Sequence, residues 1–315
     1  MMKVGVVGVG MMGQHHARVY SELSDLHEIE LIGVVDTDIG QAKNIAKKYN
    51  TKAYESYKKF VENDLDAVSI AVPTSLHKEI ALEFIDKGVN VLIEKPIADS
   101  IENAEEIIQA AKKNDVVVSV GHIERYNPAV LKLKEVIEDG VLGDVISISA
   151  KRVGPMAIRI RDVGIIIDLA VHDIDVISYL LDGKVKAVNA NAGNVKHPAE
   201  MEDHALIMLQ FPEGKTGIIE TNWLTPHKTR KLNVVGTKGI ANMDYINQSL
   251  VLSDRKGEIN VEVNEREPLK NELENFVNSV LDKTQPLVDG ETGLYVLMVA
   301  LAAQKSSKTG ELLKV

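Results

Sequence analysis

The chain has 315 residues, of which 45% are apolar, 26% are charged and none is cysteine, and its formal net charge is -10. The length predicts two domains, while the missing cysteines exclude disulfide bonds, thiolate metal sites and a cysteine nucleophile, and favour a cytoplasmic location. The negative charge and the aromatic content of 4% argue against a nucleic-acid partner, and because no long apolar segment is uninterrupted, we expect no membrane partner.

Short β-branched segments alternate with amphipathic helical segments over the first part of the chain. In order, the strand-like segments are KVGVVG, ELIGVVD, DAVSIAV, NVLIE and VVVSV. Strands that alternate with helices are typical of βαβ units, which build parallel sheets. The pattern predicts an α/β domain over residues 1–121 with a doubly wound parallel sheet.

A glycine motif directly follows the first predicted strand. Gly8, Gly10 and Gly13 have the spacing G-x-G-x-x-G at the start of a helix, where backbone N–H groups can approach a pyrophosphate. Asp36 ends the second strand, where a carboxylate can accept hydrogen bonds from a ribose, and no neighbouring arginine could neutralise a 2′-phosphate. The sequence therefore predicts a Rossmann domain that binds NAD rather than NADP. The predicted cofactor-binding loop comprises Gly8, Val9, Gly10, Met11, Met12 and Gly13.

Two adjacent histidines, His15 and His16, follow the glycine motif on the first predicted helix. Neither H-E-x-x-H nor a comparable ligand spacing accompanies them. We therefore predict surface or packing positions for both side chains, and no metal site.

The strand-like segment NVLI leads directly into Glu94, Lys95 and Pro96. The charged pair thus follows the carboxyl end of a predicted parallel strand, which is where open α/β sheets bind their ligands. From position alone, Lys95 is equally compatible with a ligand contact and with a solvated side chain.

The sequence changes character from Asp144 onwards. The segments VISISAKRV, KAVNANAG, HALIMLQF, TGIIETNWL and RKLNVVG alternate apolar with polar residues and are separated by turns such as PEGK and GTKG. This pattern predicts an α+β domain over residues 122–315 with a large open-faced, mostly antiparallel sheet. Because such a face usually packs against a partner sheet, we expect a homodimer or homotetramer formed through it.

One predicted helix, beginning near Gly164, is apolar on nearly all sides yet carries Asp168, His172 and Asp175. Spacings of four and three place these residues on one face. Charged groups on a buried helix are costly unless they are paired or functional. The stripe predicts a cleft-lining face, with a core histidine and a capping acid as the alternative.

Four motifs together resemble the Gfo/Idh/MocA family of sugar and cyclitol oxidoreductases. They are GVGMMG at 8–13, AVPTSLH at 71–77, EKP at 94–96 and DLAVHDID at 168–175, and the resemblance extends over essentially the whole chain. It implies an NAD-dependent dehydrogenase in which Lys95, Asp168 and His172 gather beside the nicotinamide as catalytic residues. It also implies cofactor contacts from Val72, Pro73, Thr74, His77, Glu94 and Lys95. One departure is Val163-Gly164, where the family often has Gly-Gly before the helix.

Within the family, GHIERYNPAV at 121–130 and RDVGIIIDLAVHDID at 161–175 are most similar to members that oxidise UDP-N-acetylglucosamine at C3. This implies a UDP-sugar substrate, whose hydroxyl proton would be taken by His172 while Lys95 stabilises the alkoxide. Which of these two side chains is the base stays open. The alternatives are a related UDP-sugar uronate, a free sugar or inositol, and a non-catalytic NAD-sensing regulator on the same fold.

Basic residues cluster at two places in the second half of this acidic chain. The members are Lys151, Arg152, Arg159, Arg161, His227, Lys228, Arg230 and Lys231. A nucleotide-sugar diphosphate needs such partners, although solvated hairpin charges would give a similar pattern. We predict substrate contacts from Arg159, Arg161 and His227, in addition to Lys95, Asp168 and His172. Arg125 and Tyr126 are predicted either to bind substrate or to tie the domains together.

Overall fold

The chain divides into two units in a computed structural model, which describes residues 1–24, 28–156, 163–196 and 201–315. Unit 1 comprises Met1–His122 and Leu269–Tyr295, and unit 2 comprises Ile123–Pro268 and Val296–Val315. The first division lies one residue beyond the predicted boundary at 121. Residues 269–295 belong to unit 1, whereas the sequence had placed them in the second domain.

Unit 1 contains a six-stranded parallel sheet. Its strands are β1 (Met2–Val7), β2 (Ile29–Val35), β3 (Lys52–Tyr54), β4 (Ala67–Ile70), β5 (Asn90–Glu94) and β6 (Val118–Gly121). Their order, β3-β2-β1-β4-β5-β6, is that of a doubly wound Rossmann sheet. This confirms the predicted fold, except that the three-residue edge strand β3 was not predicted.

Helices connect the parallel strands of unit 1. They are α1 (Met11–Ser24), α2 (Ile39–Lys48), α3 (Tyr57–Phe60), α4 (His77–Ile85) and α5 (Ile101–Asn114). Two of them begin at side-chain caps, because Asp38 accepts hydrogen bonds from the backbone of α2 and Ser100 accepts one from the backbone of α5.

Unit 2 contains a nine-stranded sheet with the order β14-β13-β12-β11-β7-β10-β9-β8-β15. The strands are β7 (Val145–Pro155), β8 (Ala187–Gly193), β9 (His204–Gln210), β10 (Thr216–Asn222), β11 (Leu224–Gly236), β12 (Ile240–Asp244), β13 (Ser249–Asp254), β14 (Gly257–Val261) and β15 (Leu313–Lys314). Only the β7–β10 pair is parallel among these neighbours, which confirms the predicted, mostly antiparallel sheet.

Three helical segments of unit 2 lie on either side of β7 in sequence. They are α6 (Pro128–Glu138), a π-helical turn over Ile166–Ala170, and α7 (Val171–Leu181). Nine of the eleven residues of α7 are buried, which explains why its sequence is apolar on nearly every side.

One face of the nine-stranded sheet carries exposed apolar side chains. Leu206 and Met208 on β9 are 57% and 38% exposed, and Ile218, which pairs with Met208 across the strands, is 45% exposed. The alternating burial along β9 and β10 places the other set of side chains in the core. The sheet therefore has one core face and one open face.

Two helices lie between β14 and β15 in sequence, α8 (Pro268–Asp282) and α9 (Gly290–Thr309). Phe276 and Val277 of α8 are fully buried, and the Val288 carbonyl accepts hydrogen bonds from Ser119 Oγ and the Val120 backbone, both at 3.1 Å. These contacts explain why residues 269–295 belong to unit 1. Among the helices of the described residues, none has the length and hydropathy that a bilayer span requires.

Candidate active site

The glycine motif forms a tight turn between β1 and α1. Gly8 has a φ of +83°, and its N–H donates to the Val35 carbonyl at 2.8 Å. A Cβ on Gly13 would lie 1.7 Å from the Gly8 carbonyl oxygen, so only glycine fits there. A Cβ on Gly10 would have no atom within 4 Å, so the loop leaves open space where its backbone can approach a phosphate.

Asp36 is anchored beside this loop at the end of β2. One carboxylate oxygen accepts from Val9 N and the other from Asp38 N, both at 2.9 Å. Val9 is buried, whereas Met11 is 46% exposed at the start of α1. A fixed carboxylate next to an open glycine loop fits the adenosine ribose of NAD, and it would repel the 2′-phosphate of NADP.

The other predicted cofactor contacts follow the neighbouring strands β4 and β5. Since β1, β4 and β5 are adjacent and parallel, their carboxyl ends bring the glycine loop, Val72 and Lys95 to one edge of the sheet. The Gly8 turn packs directly on this region, because a Cβ there would lie 2.8 Å from Val72 Cγ1. Pro73 and Thr74 begin the turn that leads into α4.

His77 is buried beneath this edge. Its Nδ1 lies 2.9 Å from the Pro96 carbonyl and its Nε2 3.0 Å from the Val72 carbonyl. Burial lowers the pKa of His77, so the ring is neutral at pH 7. The resemblance predicted that this residue flanks the cofactor; in the structure both its nitrogens face backbone carbonyls, and it links the loops after β4 and β5.

Glu94 precedes Lys95 and is paired with a histidine. His16 Nε2 lies 3.0 Å from Glu94 Oε1, and the His16 ring is fully buried. Burial alone would raise the pKa of Glu94, but the His16 hydrogen bond and the Lys95 charge hold it below its usual value. The sequence had predicted no more than a surface or packing position for His16.

In unit 2, Asp168 lies in the π-helical turn and His172 is the second residue of α7. Asp168 is buried, and His172 is partly exposed. Single π-helical turns occur frequently at functional sites. A Cβ on Gly164, just before this turn, would lie 2.1 Å from Glu202 Oε2, so a larger residue there would require the Glu202 side chain to move. The Val163-Gly164 departure keeps a glycine at this close approach.

Asp175, the third member of the predicted stripe, is buried and paired with Arg125. The Arg125 Nε donates to Asp175 Oδ2 at 3.1 Å, Nη2 donates to Oδ1, and the guanidinium lies 4.9 Å from the Tyr179 ring centre. Tyr126 is also buried, with 2% of its surface exposed. Both side chains are thus packed within unit 2, and the substrate contacts proposed for Arg125 and Tyr126 stay a prediction.

Arg152 belongs to a second buried cluster. Its Nε donates to Asp173 Oδ2 and its Nη1 donates to Glu124 Oε1, both at 2.8 Å. Arg230 Nη1 lies 3.3 Å from the same Glu124 oxygen, but the Arg230 side chain is 34% exposed. Burial and the Arg152 charge lower the pKa of Arg230, and Asp168 is among the acidic groups that act against this shift. Arg152 thus forms buried, structural ion pairs, whereas the Arg230 side chain reaches the surface.

The remaining predicted cations have different surroundings. Lys151 pairs with Glu220 at 2.9 Å on the open face of the sheet, and His227 is exposed at an irregular stretch of β11. Arg159 and Arg161 lie outside the described residues. Within the described ranges, no group of three or more histidine, aspartate and glutamate side chains could hold a metal ion.

Comparisons with known proteins agree with both units. Residues 2–122 match the family model described as "Oxidoreductase family, NAD-binding Rossmann fold", and residues 130–242 match that of the GFO/IDH/MocA C-terminal domain. The chain is 29% identical to a UDP-N-acetylglucosamine 3-dehydrogenase of Acidithiobacillus ferrooxidans over 95% of both chains. It is 27% identical to a myo-inositol 2-dehydrogenase of Thermotoga maritima over 97% of this chain and 96% of the relative. A solved structure of the Acidithiobacillus enzyme has a TM-score of 0.88, 28% identity and 97% coverage of both chains.

Proposed function

From the premise that the chain belongs to the Gfo/Idh/MocA oxidoreductase family, we propose that it oxidises the C3 hydroxyl of UDP-N-acetylglucosamine with NAD, giving the 3-keto sugar nucleotide. The observation that supports this choice of substrate is the similarity to a UDP-N-acetylglucosamine 3-dehydrogenase over 95% of both chains. The proposed product suits the biosynthesis of a 3-amino sugar or a glycan, because a ketone can accept an amine.

In the proposed reaction, the C3–H and O–H bonds break and a C=O bond forms. The glycine loop and Asp36 would hold NAD, and the cofactor would supply the acceptor for the hydride from C3. His172 takes the hydroxyl proton, and Lys95 stabilises the negative charge that develops on the oxygen. Asp168, one turn before His172 in sequence, positions the proton-transfer groups.

Single substitutions test these assignments. His172→Ala should bind NAD normally, and both His172→Ala and Lys95→Ala should lose turnover by roughly 10²–10⁴-fold, which is the usual contribution of general acid–base catalysis. If His172 is the base, His172→Ala should also remove the acidic limb of the pH–kcat profile. Full activity of either variant would contradict its catalytic assignment.

The diphosphate of a nucleotide sugar needs cationic partners. Arg125 and Arg152 are less suited to this role, because each is already paired with a buried carboxylate of unit 2. Arg230 is the described candidate that we favour, since its guanidinium is partly exposed and shares Glu124 with Arg152. We propose that Arg230 binds the anionic part of the substrate together with Arg159, Arg161 and His227.

An inositol dehydrogenase is the second candidate function. It is favoured by the similarity to myo-inositol 2-dehydrogenase over 97% of this chain, at only slightly lower identity. A neutral cyclitol would need the same proton-transfer groups but no cation for a diphosphate. The two candidates therefore differ in whether substitution of Arg230 affects substrate binding.

A substrate panel decides between them. The purified protein is mixed with NAD and UDP-N-acetylglucosamine, its C6 uronate, UDP-glucose or myo-inositol, and NADH absorbance is followed with a ketone-trapping reagent. A response to the UDP-N-acetyl sugar alone supports the proposal, and NMR of the product then gives the oxidised position. A response to myo-inositol alone supports the second candidate. NAD binding without any turnover would instead favour a non-catalytic NAD-sensing regulator.

We further propose that two or four copies assemble through the open face of the nine-stranded sheet. Leu206, Met208 and Ile218 form a contiguous apolar area there, and a second copy presents the same area. Light scattering should give a dimer or tetramer for the wild type, and Ile218→Lys should reduce the mass without changing the circular dichroism. A wild-type monomer at micromolar concentration would refute this proposal.

A further inference from the structure

Two adjacent histidines on α1 have opposite surroundings. The His15 side chain is exposed, whereas the His16 ring is fully buried and lies 3.0 Å from Glu94 Oε1 through its Nε2. Because α1 starts at the glycine loop and Glu94 ends β5, this hydrogen bond connects the first helix to the residue preceding Lys95. The pair provides a direct link between the cofactor-binding loop and the lysine segment.

The Glu94 carboxylate has a defined position at the end of β5. While Oε1 faces His16, Oε2 lies 3.2 Å from the Lys95 backbone N–H. Gly121 on the neighbouring strand β6 leaves room for it, since a Cβ there would lie 3.1 Å from Oε2. The side chain of Glu94 is thus held at both oxygens, and its second bond fixes the backbone of Lys95.

The charges fix the direction of the His16 bond. Burial alone would raise the pKa of Glu94, yet the His16 hydrogen bond and Lys95 keep it below its usual value, so Glu94 is ionised at pH 7. An ionised carboxylate only accepts, so Nε2–H of His16 donates. His16 Nδ1 is buried and has no hydrogen-bond partner among the described residues. An apolar residue would avoid the cost of that nitrogen, which indicates that the Nε2 contact is what histidine provides here.

We propose that His16 is a positioning residue for Lys95. By fixing the Glu94 carboxylate, His16 keeps Lys95 in place and in a constant electrostatic field. This inference rests on the proposed function, in which Lys95 stabilises charge on the substrate oxygen. When the His16 hydrogen bond is lost, Glu94 is protonated at a higher pH, and the anion beside Lys95 disappears under conditions where the wild type retains it.

The matched variants are His16→Leu, which removes the donor, His16→Gln, which keeps a side-chain N–H, and His15→Leu as the control on the same helix. His16→Leu should lower kcat by about tenfold or more and steepen the acidic limb of the pH–kcat profile, because Glu94 is then protonated in addition to the catalytic base. The NAD dissociation constant, measured by fluorescence, should stay within about twofold. His16→Gln should recover most of the activity, and His15→Leu should behave as the wild type.

A second measurement does not depend on turnover. In protein labelled with ¹³C at the glutamate carboxyl, the Glu94 signal is assigned by its loss in Glu94→Gln and titrated by NMR. The Glu94 pKa should rise in His16→Leu and stay unchanged in His15→Leu. An unchanged Glu94 pKa, or a lower melting temperature with an unaltered pH–kcat profile, would overturn the inference and leave His16 a packing residue. A wild type that turns over no substrate would refute the proposed function instead, and the NMR titration would still decide whether His16 controls Glu94.

Discussion

Replacement of Arg152 by leucine should destabilise unit 2 while leaving substrate recognition unchanged. Arg152 is 1% exposed and donates to Asp173 at 2.8 and 3.1 Å and to Glu124 at 2.8 Å. Its removal leaves two buried carboxylates without their principal cation. Breaking a buried ion pair on one side costs about 3–5 kcal/mol. For a domain of this size, about 2–4 °C per kcal/mol converts the loss into a melting-temperature decrease of roughly 10 °C.

The adjacent residue gives the control for this prediction. Lys151 also forms an ion pair, with Glu220 at 2.9 Å, but both side chains are about half exposed. Lys151→Leu should therefore change the unfolding free energy by less than about 1 kcal/mol. Urea denaturation followed by circular dichroism measures both variants, and the double variant Arg152→Leu/Asp173→Leu should recover part of the loss. Equal effects of Arg152→Leu and Lys151→Leu, or a raised KM at unchanged stability, would refute the structural assignment of Arg152.

Three further substitutions test the cofactor and substrate sites. Gly13→Ala should weaken NAD binding by about tenfold or more in a fluorescence titration, because the Cβ would lie 1.7 Å from the Gly8 carbonyl oxygen. A tenfold loss of affinity corresponds to about 1.4 kcal/mol of distortion energy. Unchanged affinity would contradict the close contact. Asp36→Asn should raise the kcat/KM ratio of NADP to NAD, because the repelling carboxylate is gone, and a constant ratio would count against its role in cofactor choice. Arg230→Gln should raise the KM for a UDP-sugar about tenfold or more with kcat nearly constant, as expected for a lost charge-assisted hydrogen bond worth about 1.5–3 kcal/mol. Lys228→Gln, at an exposed site on the same strand, is its control, and a matching KM in both variants would exclude Arg230.

Local patterns account for what could be predicted from the sequence. The glycine spacing, the buried first strand and Asp36 are all set by residues close together in the chain, and the structure has the predicted turn, strand and acid in order. The carboxyl-end position of Lys95 also follows from strand order alone. The π-helical turn that holds Asp168 was not predictable, because apolar residues surround it on every side and give no period that distinguishes it from an α-helix.

Long-range pairing accounts for the features that could not be predicted from the sequence. His16 and Glu94 are 78 residues apart, so nothing near His16 marks it as a carboxylate partner. Arg152 had a usable signal, since it shares the inward register of β7 with Ala150, while Lys151 faces outward between them. Arg125 had no such signal, because its partner Asp175 lies 50 residues away and was assigned to the predicted cleft-lining face of the helix.

Unit 1 is assembled from two segments that are far apart in the chain, since Leu269–Tyr295 completes what Met1–His122 begins. During synthesis, the NAD-binding unit therefore lacks the buried Phe276 and the Val288 contacts to β6 until residues 269–295 have been translated. The larger segment of unit 2, Ile123–Pro268, must emerge in the meantime, in contrast to the usual order in which the N-terminal domain folds first. A gene cut after His122 would accordingly encode an incomplete module, and an exchange of cofactor-binding units between relatives should transfer two segments instead of one.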